Sequence, residues 1–406
     1  MTIEWWKQVL RYQSVSSEDW TNWRWQMQNR ICSIDDLLEI LPDVKRFFNE
    51  QELKKVCQTF PIMLTPFTVA LFANLLQEKD RRPWLIGFLK TLIPTAEELH
   101  LHPHELIGED PVGELPTARG LKAISRFYPD RVLVHIGTEC PVYCRYCFRR
   151  DRIFPPINPK PSQTKSVISE KEWKEVLTYI LQSPPRENNP GTDPLIRDVI
   201  FSGGEPLLLS DQRIEKMLQD LRQIPHVRII RFDTKMVTVN PYRITPEFLN
   251  MLRNYHPIYM NIHFVHPYEL HADVRRACEQ LADAGVVLGA HVPLLKGIND
   301  DVDILKELFL NLIEIRVRPY YLIHFIPTKY TEHFRTSIEK GREIMKHLWG
   351  YISGLANPIY IVYLPKGKGK VMYMPDYLLA KTPEGYWFEN FEGDVGFYPL
   401  QTQTEV

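Results

Sequence analysis

Three of the chain's six cysteines, Cys140, Cys144 and Cys147, fall close together with the spacing Cys-x3-Cys-x2-Cys. Thiolates gathered this closely suit zinc or an iron–sulfur cluster. Their number separates the options, because a structural zinc site normally closes with four protein ligands. Three thiolates on a four-iron cluster leave one iron open, where a small molecule can chelate. A zinc knuckle or a fortuitous grouping is the competing reading. Cys32, Cys57 and Cys278 are scattered, which argues against a disulfide framework and for reduced thiols in a cytoplasmic setting.

A second candidate is Phe201-Ser-Gly-Gly-Glu-Pro206. Gly203 and Gly204 let the backbone approach a ligand closely, and the Glu205 carboxylate can accept hydrogen bonds from an ammonium group. Alone, this turn says little. Asn261-Ile-His-Phe-Val-His-Pro267 offers His263 and His266 as ligand contacts, or simply as polar strand ends. His291 opens a further polar turn. Near the end, Tyr363-Leu-Pro-Lys-Gly-Lys-Gly-Lys370 displays a lysine in a glycine-rich loop, which can bind phosphate or form a Schiff base. On that stretch alone, a basic surface turn is the plainer reading.

The elements that must position these groups alternate. Strands are predicted at 131–136, 198–201, 227–232, 258–264, 286–293 and 318–325, so the cysteines sit on the loop leaving the first. Amphipathic helices lie between them. Trp173, Val176, Leu177, Ile180 and Leu181 form one stripe, and Ile214, Met217, Leu218 and Leu221 a second behind a Ser210 N-cap. Val274, Ala277, Cys278 and Leu281 form a third that stops at Gly285, so Cys278 reads as core. Strands alternating with helices imply a parallel sheet. The units suggest an α/β fold with a partial, TIM-like (β/α)6 barrel, whose chemistry sits at the C-terminal mouth of the strands.

Residues 1–120 read as a helical, aromatic-rich domain, with Trp20, Trp23 and Met27 packed on one face and Ser33 capping the next helix. Residues 112–120 read as a linker, 121–355 as the barrel and 356–406 as a C-terminal segment carrying Lys370, with 183–195 a surface excursion. A net charge of -1 gives no basic field for nucleic acid. No apolar run approaches the ~20 residues needed to cross a bilayer, and the first residues lack a signal peptide's basic-then-apolar pattern.

Together these motifs resemble the lysine 2,3-aminomutase family, radical S-adenosylmethionine (SAM) enzymes that also carry pyridoxal 5′-phosphate (PLP). The resemblance runs over nearly the whole chain. It includes Asp19-Trp-x2-Trp-x-Trp-Gln, Tyr128-Pro-Asp-Arg-Val-Leu, the cysteine run through Arg149, Ser-Gly-Gly-Glu, Asn240-Pro-Tyr-Arg-Ile-Thr, Val317-Arg-Pro-Tyr-Tyr and Glu332-His-Phe-Arg-Thr. It implies that Cys140, Cys144 and Cys147 hold a 4Fe–4S cluster whose open iron binds SAM, with Gly203, Gly204, Glu205 and His263 around that cofactor. It also implies Lys370 as the Schiff-base lysine, Tyr128 and Arg131 at the PLP phosphate, and Arg149 on the substrate carboxylate. The implied reaction uses a 5′-deoxyadenosyl radical to take hydrogen from the substrate's Cβ. The amino group, held as a PLP aldimine, then moves from C2 to C3. An electron donor such as flavodoxin or ferredoxin and a homo-oligomeric assembly come with the resemblance.

The chain departs from the family in places. Members acting on lysine hold its side-chain ammonium with two aspartates, and the matching positions here are Ile326 and Tyr363. An unpaired buried ammonium is strongly unfavourable, so the expected substrate is an α-amino acid other than lysine, smaller, neutral or aromatic. Phe127 stands where another phosphate-binding arginine is expected, with Arg126 adjacent as a substitute. Two alternatives are a family member that has lost PLP and acts on another amino-acid-like or peptide substrate, and a non-catalytic metal-binding protein on the same scaffold.

Overall fold

The structure, a computed structural model, describes residues 4–77, 82–101, 110–114, 121–153, 167–186, 191 and 193–400. Parts of the expected linker and of the surface excursion lie outside these residues. The central sheet has nine strands: β1 (Ile124–Ser125), β2 (Arg131–His135), β3 (Asp198–Ser202), β4 (Ile229–Thr234), β5 (Ile258–His263), β6 (Val287–Leu294), β7 (Val317–His324), β8 (Ile359–Tyr363) and β9 (Lys370–Met372). They neighbour one another in sequence order. From β2 to β8 every pairing is parallel, and antiparallel β1 and β9 close the edges. With every crossover running in the same direction, the sheet curls into a partial barrel instead of opening into a doubly wound layer.

Alternation along the strands decides what faces the interior. In β4, Ile230 and Phe232 are buried against the helical layer, while Arg231 and Asp233 face the opposite side and line a central cavity. This strand starts two residues later than predicted and runs on to Thr234, which brings Asp233 into the sheet. The Arg228 and Ile229 N–H groups both donate to Arg197 O, where the ladder with β3 begins.

The helices end where their caps say. Ser169 and Glu172 form a reciprocal capping box at Glu170–Gln182, Ser210 caps Asp211–Arg222, and Ala272–Asp283 stops before Gly285 at φ +83°. In the first of these helices Leu181 lies outside the buried stripe and is exposed. The expected tryptophan helix is instead two short ones, Ser17–Thr21 and Trp23–Gln28, because the Asn22 side chain accepts from Arg24 N and Trp25 N and starts a new helix. Trp20 is buried, stacks on Trp6 and donates to Tyr242 Oη at 2.8 Å. Its role is packing.

Beyond β9, Leu378–Thr382, Gly385–Glu389 and Val395–Pro399 form a separate antiparallel sheet. Helix Ile338–Leu348 packs on β8 through Gly341, where a Cβ would sit 2.2 Å from the Tyr360 ring. That ring is buried, and its hydroxyl is bonded to His324 Nδ1 at 2.8 Å. Helix propensity alone makes Gly→Ala stabilising by up to ~1 kcal/mol. Gly341→Ala is expected to do the reverse, lowering stability by about 1–3 kcal/mol through overpacking, as read by urea denaturation.

Candidate active site

The C-terminal mouth of the barrel encloses a cavity of about 490 Å³. Cys140, Cys144 and Cys147 line it from the loop after β2. Burial raises all three thiols, Cys144 to about 11, so deprotonation needs a compensating positive centre such as iron. Among the described residues, no three His, Cys, Asp or Glu side chains gather closely enough for one metal ion. Three thiolates on one loop at the cavity match the donor set of a cluster with one open iron.

The loop is braced from the N-terminal helices. Glu98 accepts from Arg145 Nε and Nη2 at 2.9 and 2.6 Å and from Arg150 Nη2 at 2.9 Å. Burial pushes the Glu98 carboxyl up, but the two guanidiniums more than offset this and hold it below the usual range. Arg145 N donates to Thr91 O, Tyr143 N to Met63 O, and Arg145 Nη1 to Pro61 O.

The Gly-Gly turn touches this loop directly. A Cβ on Gly204 would lie 2.2 Å from Glu139 O, and Gly203 has φ +112° with Gly137 O close by. Gly204 N and Glu205 N donate to Gly137 O and Glu139 O, both at 2.7 Å. The glycines thus let two backbones meet. The Glu205 carboxylate accepts from Leu207 N, Thr234 Oγ1, Lys235 N and Met236 N. A carboxylate offers about four lone-pair sites, so this side chain is occupied in shaping the turn.

Arg149 lines the same cavity. Its Nε and Nη2 donate to Glu114 at 2.8 and 2.6 Å, while Nη1 donates to Ser202 Oγ at 3.0 Å and Gly203 O at 3.2 Å. Glu114 also receives Arg152. Burial alone would raise the Glu114 carboxyl, yet Arg149 holds it well below the carboxylate range.

Lys370 sits at the start of β9, paired with Tyr363 of β8. Its backbone N–H donates to Tyr128 Oη at 2.9 Å, and Gly369, at φ +79°, leaves room for that phenol. The Lys370 ammonium lies 4.7 Å over the Tyr321 ring and 5.0 Å over Tyr363. Burial lowers its pKa. Arg131 covers the Tyr128 ring at 4.7 Å, and both reach the cavity. Phe127 lines it too, but Arg126 does not. The Arg126 guanidinium is buried elsewhere, donating to Pro184 O and Pro129 O near Asp193, so it does not stand in for the missing arginine.

The two candidate histidines part company. His263 lines the cavity, whereas His266 is buried among Trp84, Phe88 and Tyr268, accepting from Tyr268 N. His291 lines the cavity beside Tyr320 and Tyr321, and its buried Nε2 has no hydrogen-bond partner among the described residues. An orphaned ring nitrogen, a buried lysine amine and a glycine cradle are features a polar aromatic cofactor such as PLP would satisfy. Ile326 and Tyr363 form part of the wall. Glu114, Ser202, Asp233 and Asn261 were not anticipated. The alternation Arg231, Asp233, Lys235 could have revealed Asp233, but nothing local marks Glu114.

Comparison with known proteins gives the same frame. A family model described as "Radical SAM superfamily" matches residues 134–308, and one described as "Lysine-2,3-aminomutase" matches 345–404. An L-lysine 2,3-aminomutase of Fusobacterium nucleatum is 38% identical over 95% of this chain and 84% of its own length. A glutamate 2,3-aminomutase of Clostridioides difficile is 38% identical over 96% of this chain and 85% of its length. A putative L-lysine 2,3-aminomutase of Aquifex aeolicus is 35% identical over 97% of this chain and 98% of its length. The chain belongs to the lysine 2,3-aminomutase family.

Glu98→Gln would leave two buried guanidiniums against a neutral amide, with an expected loss of about 3–5 kcal/mol and reduced iron retention after reconstitution. Both Glu98 and Glu114 are depressed, so the stability they contribute is present above the ordinary value of 4.5 and is lost as pH falls through the folded-state values. Urea midpoints against pH should show an acid-side decline that is shallower in the Glu98→Gln protein.

Proposed function

We propose that this chain is a radical SAM 2,3-aminomutase, an isomerase that moves the amino group of an α-amino acid other than lysine from C2 to C3. The observation that carries this is the convergence of Cys140, Cys144, Cys147, the Gly203–Gly204 turn, Arg149 and Lys370 on one cavity. When bound, a cluster with SAM supplies a carbon-centred radical, and PLP supplies a conjugated system able to carry nitrogen between adjacent carbons.

Each residue then has a task. The three cysteines ligate the cluster and leave an iron open, and the Gly203–Gly204 turn, shaped by Glu205, lies beside it with His263 for SAM. Lys370 displays its amine for the cofactor, while Tyr128 and Arg131 take the phosphate. Arg149 holds the substrate carboxylate. With Nε committed to Glu114, it must meet that carboxylate through its Nη edge, releasing Ser202 Oγ or Gly203 O if both oxygens are gripped. The enclosing walls exclude water and keep the reacting carbons oriented. Electrons would come from a small carrier such as flavodoxin or ferredoxin, in the cytoplasm, with the chain working as a homo-oligomer. Among the described residues no helix is long and apolar enough to cross a membrane.

Overall similarity does not select the substrate, since relatives named for lysine and for glutamate match equally well. The wall at Ile326 and Tyr363 favours a side chain without an ammonium group. A second reading, a PLP-free member acting on another amino-acid-like or peptide substrate, draws on Phe127 and the averted Arg126, which leave fewer phosphate donors. Reduced, cluster-loaded protein with SAM and PLP should be offered the twenty amino acids, and β-isomers sought by mass spectrometry. A β-isomer from a non-lysine amino acid is expected. Lysine as the best substrate would overturn the side-chain reading, and 5′-deoxyadenosine without any β-isomer would favour the PLP-free one.

A further inference from the structure

A charge ledger of the cavity leaves two groups over. Arg131 is paired with Asp130 at 3.0 Å, Arg149 with Glu114, Arg231 with Asp198 at 2.9 and 2.7 Å, and Lys235 with Glu269 and His263 O. On the acidic side Glu114 is held by arginines, and Glu205 by its four donors. Among the described residues Lys370 has no carboxylate within ion-pair distance, and its ammonium rests over two tyrosine rings. Asp233 accepts from Asn261 Nδ2 at its Oδ1 at 2.9 Å and has no cationic partner within ion-pair distance among the described residues. Among the described cavity residues, these are the cation and the anion left uncommitted.

The sheet places Asp233 deliberately. Asp233 of β4 is in register with Asn261 of β5, and Asn261 with Gly289 of β6. A Cβ on Gly289 would fall 2.7 Å from Asn261 Oδ1, so the missing side chain makes room for the amide that braces the carboxylate. We propose that Asp233, braced by Asn261, is the counter-charge of Lys370 across the cavity, a positioning residue that fixes the charge on the lysine nitrogen. Nothing in this pairing requires the aminomutase reading; it concerns only the amine that the cavity encloses.

The surroundings of Lys370 support the assignment. Facing it are Arg231 and Asp233 from β4, His291 from β6, Tyr320 and Tyr321 from β7, Tyr363 from β8 and Tyr128 from the turn before β2. Burial lowers the lysine's pKa, Asp233 is the leading influence that raises it, and Arg231 lowers it. In a largely apolar enclosure a single carboxylate acts with little solvent screening. A positive nitrogen, whether ammonium or the protonated imine a lysine forms with a carbonyl, is favoured by that field.

The test needs no substrate. Full-length protein is pulse-labelled with acetic anhydride over a pH series, and acetylation at Lys370 is read by mass spectrometry. The exposed Lys366 and Lys368 serve as internal references. Asp233→Asn keeps an oxygen for Asn261 and removes only the charge. It should move the Lys370 midpoint to lower pH by about one unit and leave the references in place. Asp233→Ser, a second charge-free variant should the first fail to fold, should give the same displacement, and Asp233→Glu should restore the wild-type profile. An unchanged Lys370 midpoint in both charge-free variants would overturn the proposal, as would an equal displacement at Lys366 and Lys368.

Discussion

The site depends on one buried carboxylate. Glu98, at the end of the N-terminal helical region, grips Arg145 between the second and third cysteines and Arg150 just beyond them. Burying three charges is costly, and the arrangement is tolerable because the guanidinium forks of Arg145 are matched by both carboxylate oxygens. The return is geometric. Short loops carrying three thiols have little core of their own, and here the helices supply the anchor. Backbone bonds from the loop to Met63 and Thr91 complete it. The N-terminal helices are thus part of the active site's scaffold, although few of their side chains reach the cavity.

A second constraint follows from the meeting of backbones at Gly203 and Gly204. Because these residues lie against Gly137 and Glu139, the cysteine loop and the turn after β3 are bonded directly to each other. Arg149 extends the connection, bridging Glu114 to Ser202 and Gly203. On the far side, Gly367 N donates to Val112 O, two residues before Glu114, so the loop leading to Lys370 is tied to the same strap. The cysteine loop, Arg149 and the loop leading to Lys370 are therefore held by one continuous set of bonds.

Much of this was legible in the sequence. Period-two and period-3.6 patterns placed six of the seven parallel strands and their helices to within a few residues, because parallel strands and amphipathic helices expose their burial in local order, while β8 was not anticipated. The three cysteines stood out by type and spacing, whereas the glycine turn and Lys370 gained weight only beside them and through the family resemblance. What escaped had no local signature. Asn22 looked like a helix residue until its side chain captured two backbone amides, and Arg126 looked available until the fold turned it toward Pro184. Glu114 acquires meaning only from arginines more than thirty residues away. Asp233 was missed because the strand was ended one residue too soon.

A cavity that couples a SAM-derived radical to migration of an amino group between adjacent carbons would leave an isotopic trace. When nitrogen moves from C2 to C3 after hydrogen is removed at C3, the unpaired electron is left on C2, where hydrogen must return. The direct measurement is therefore turnover with SAM carrying deuterium on its 5′ carbon. Deuterium should appear at C2 of the β-amino acid product. A β-amino acid free of deuterium, with label confined to 5′-deoxyadenosine, would contradict the mechanism.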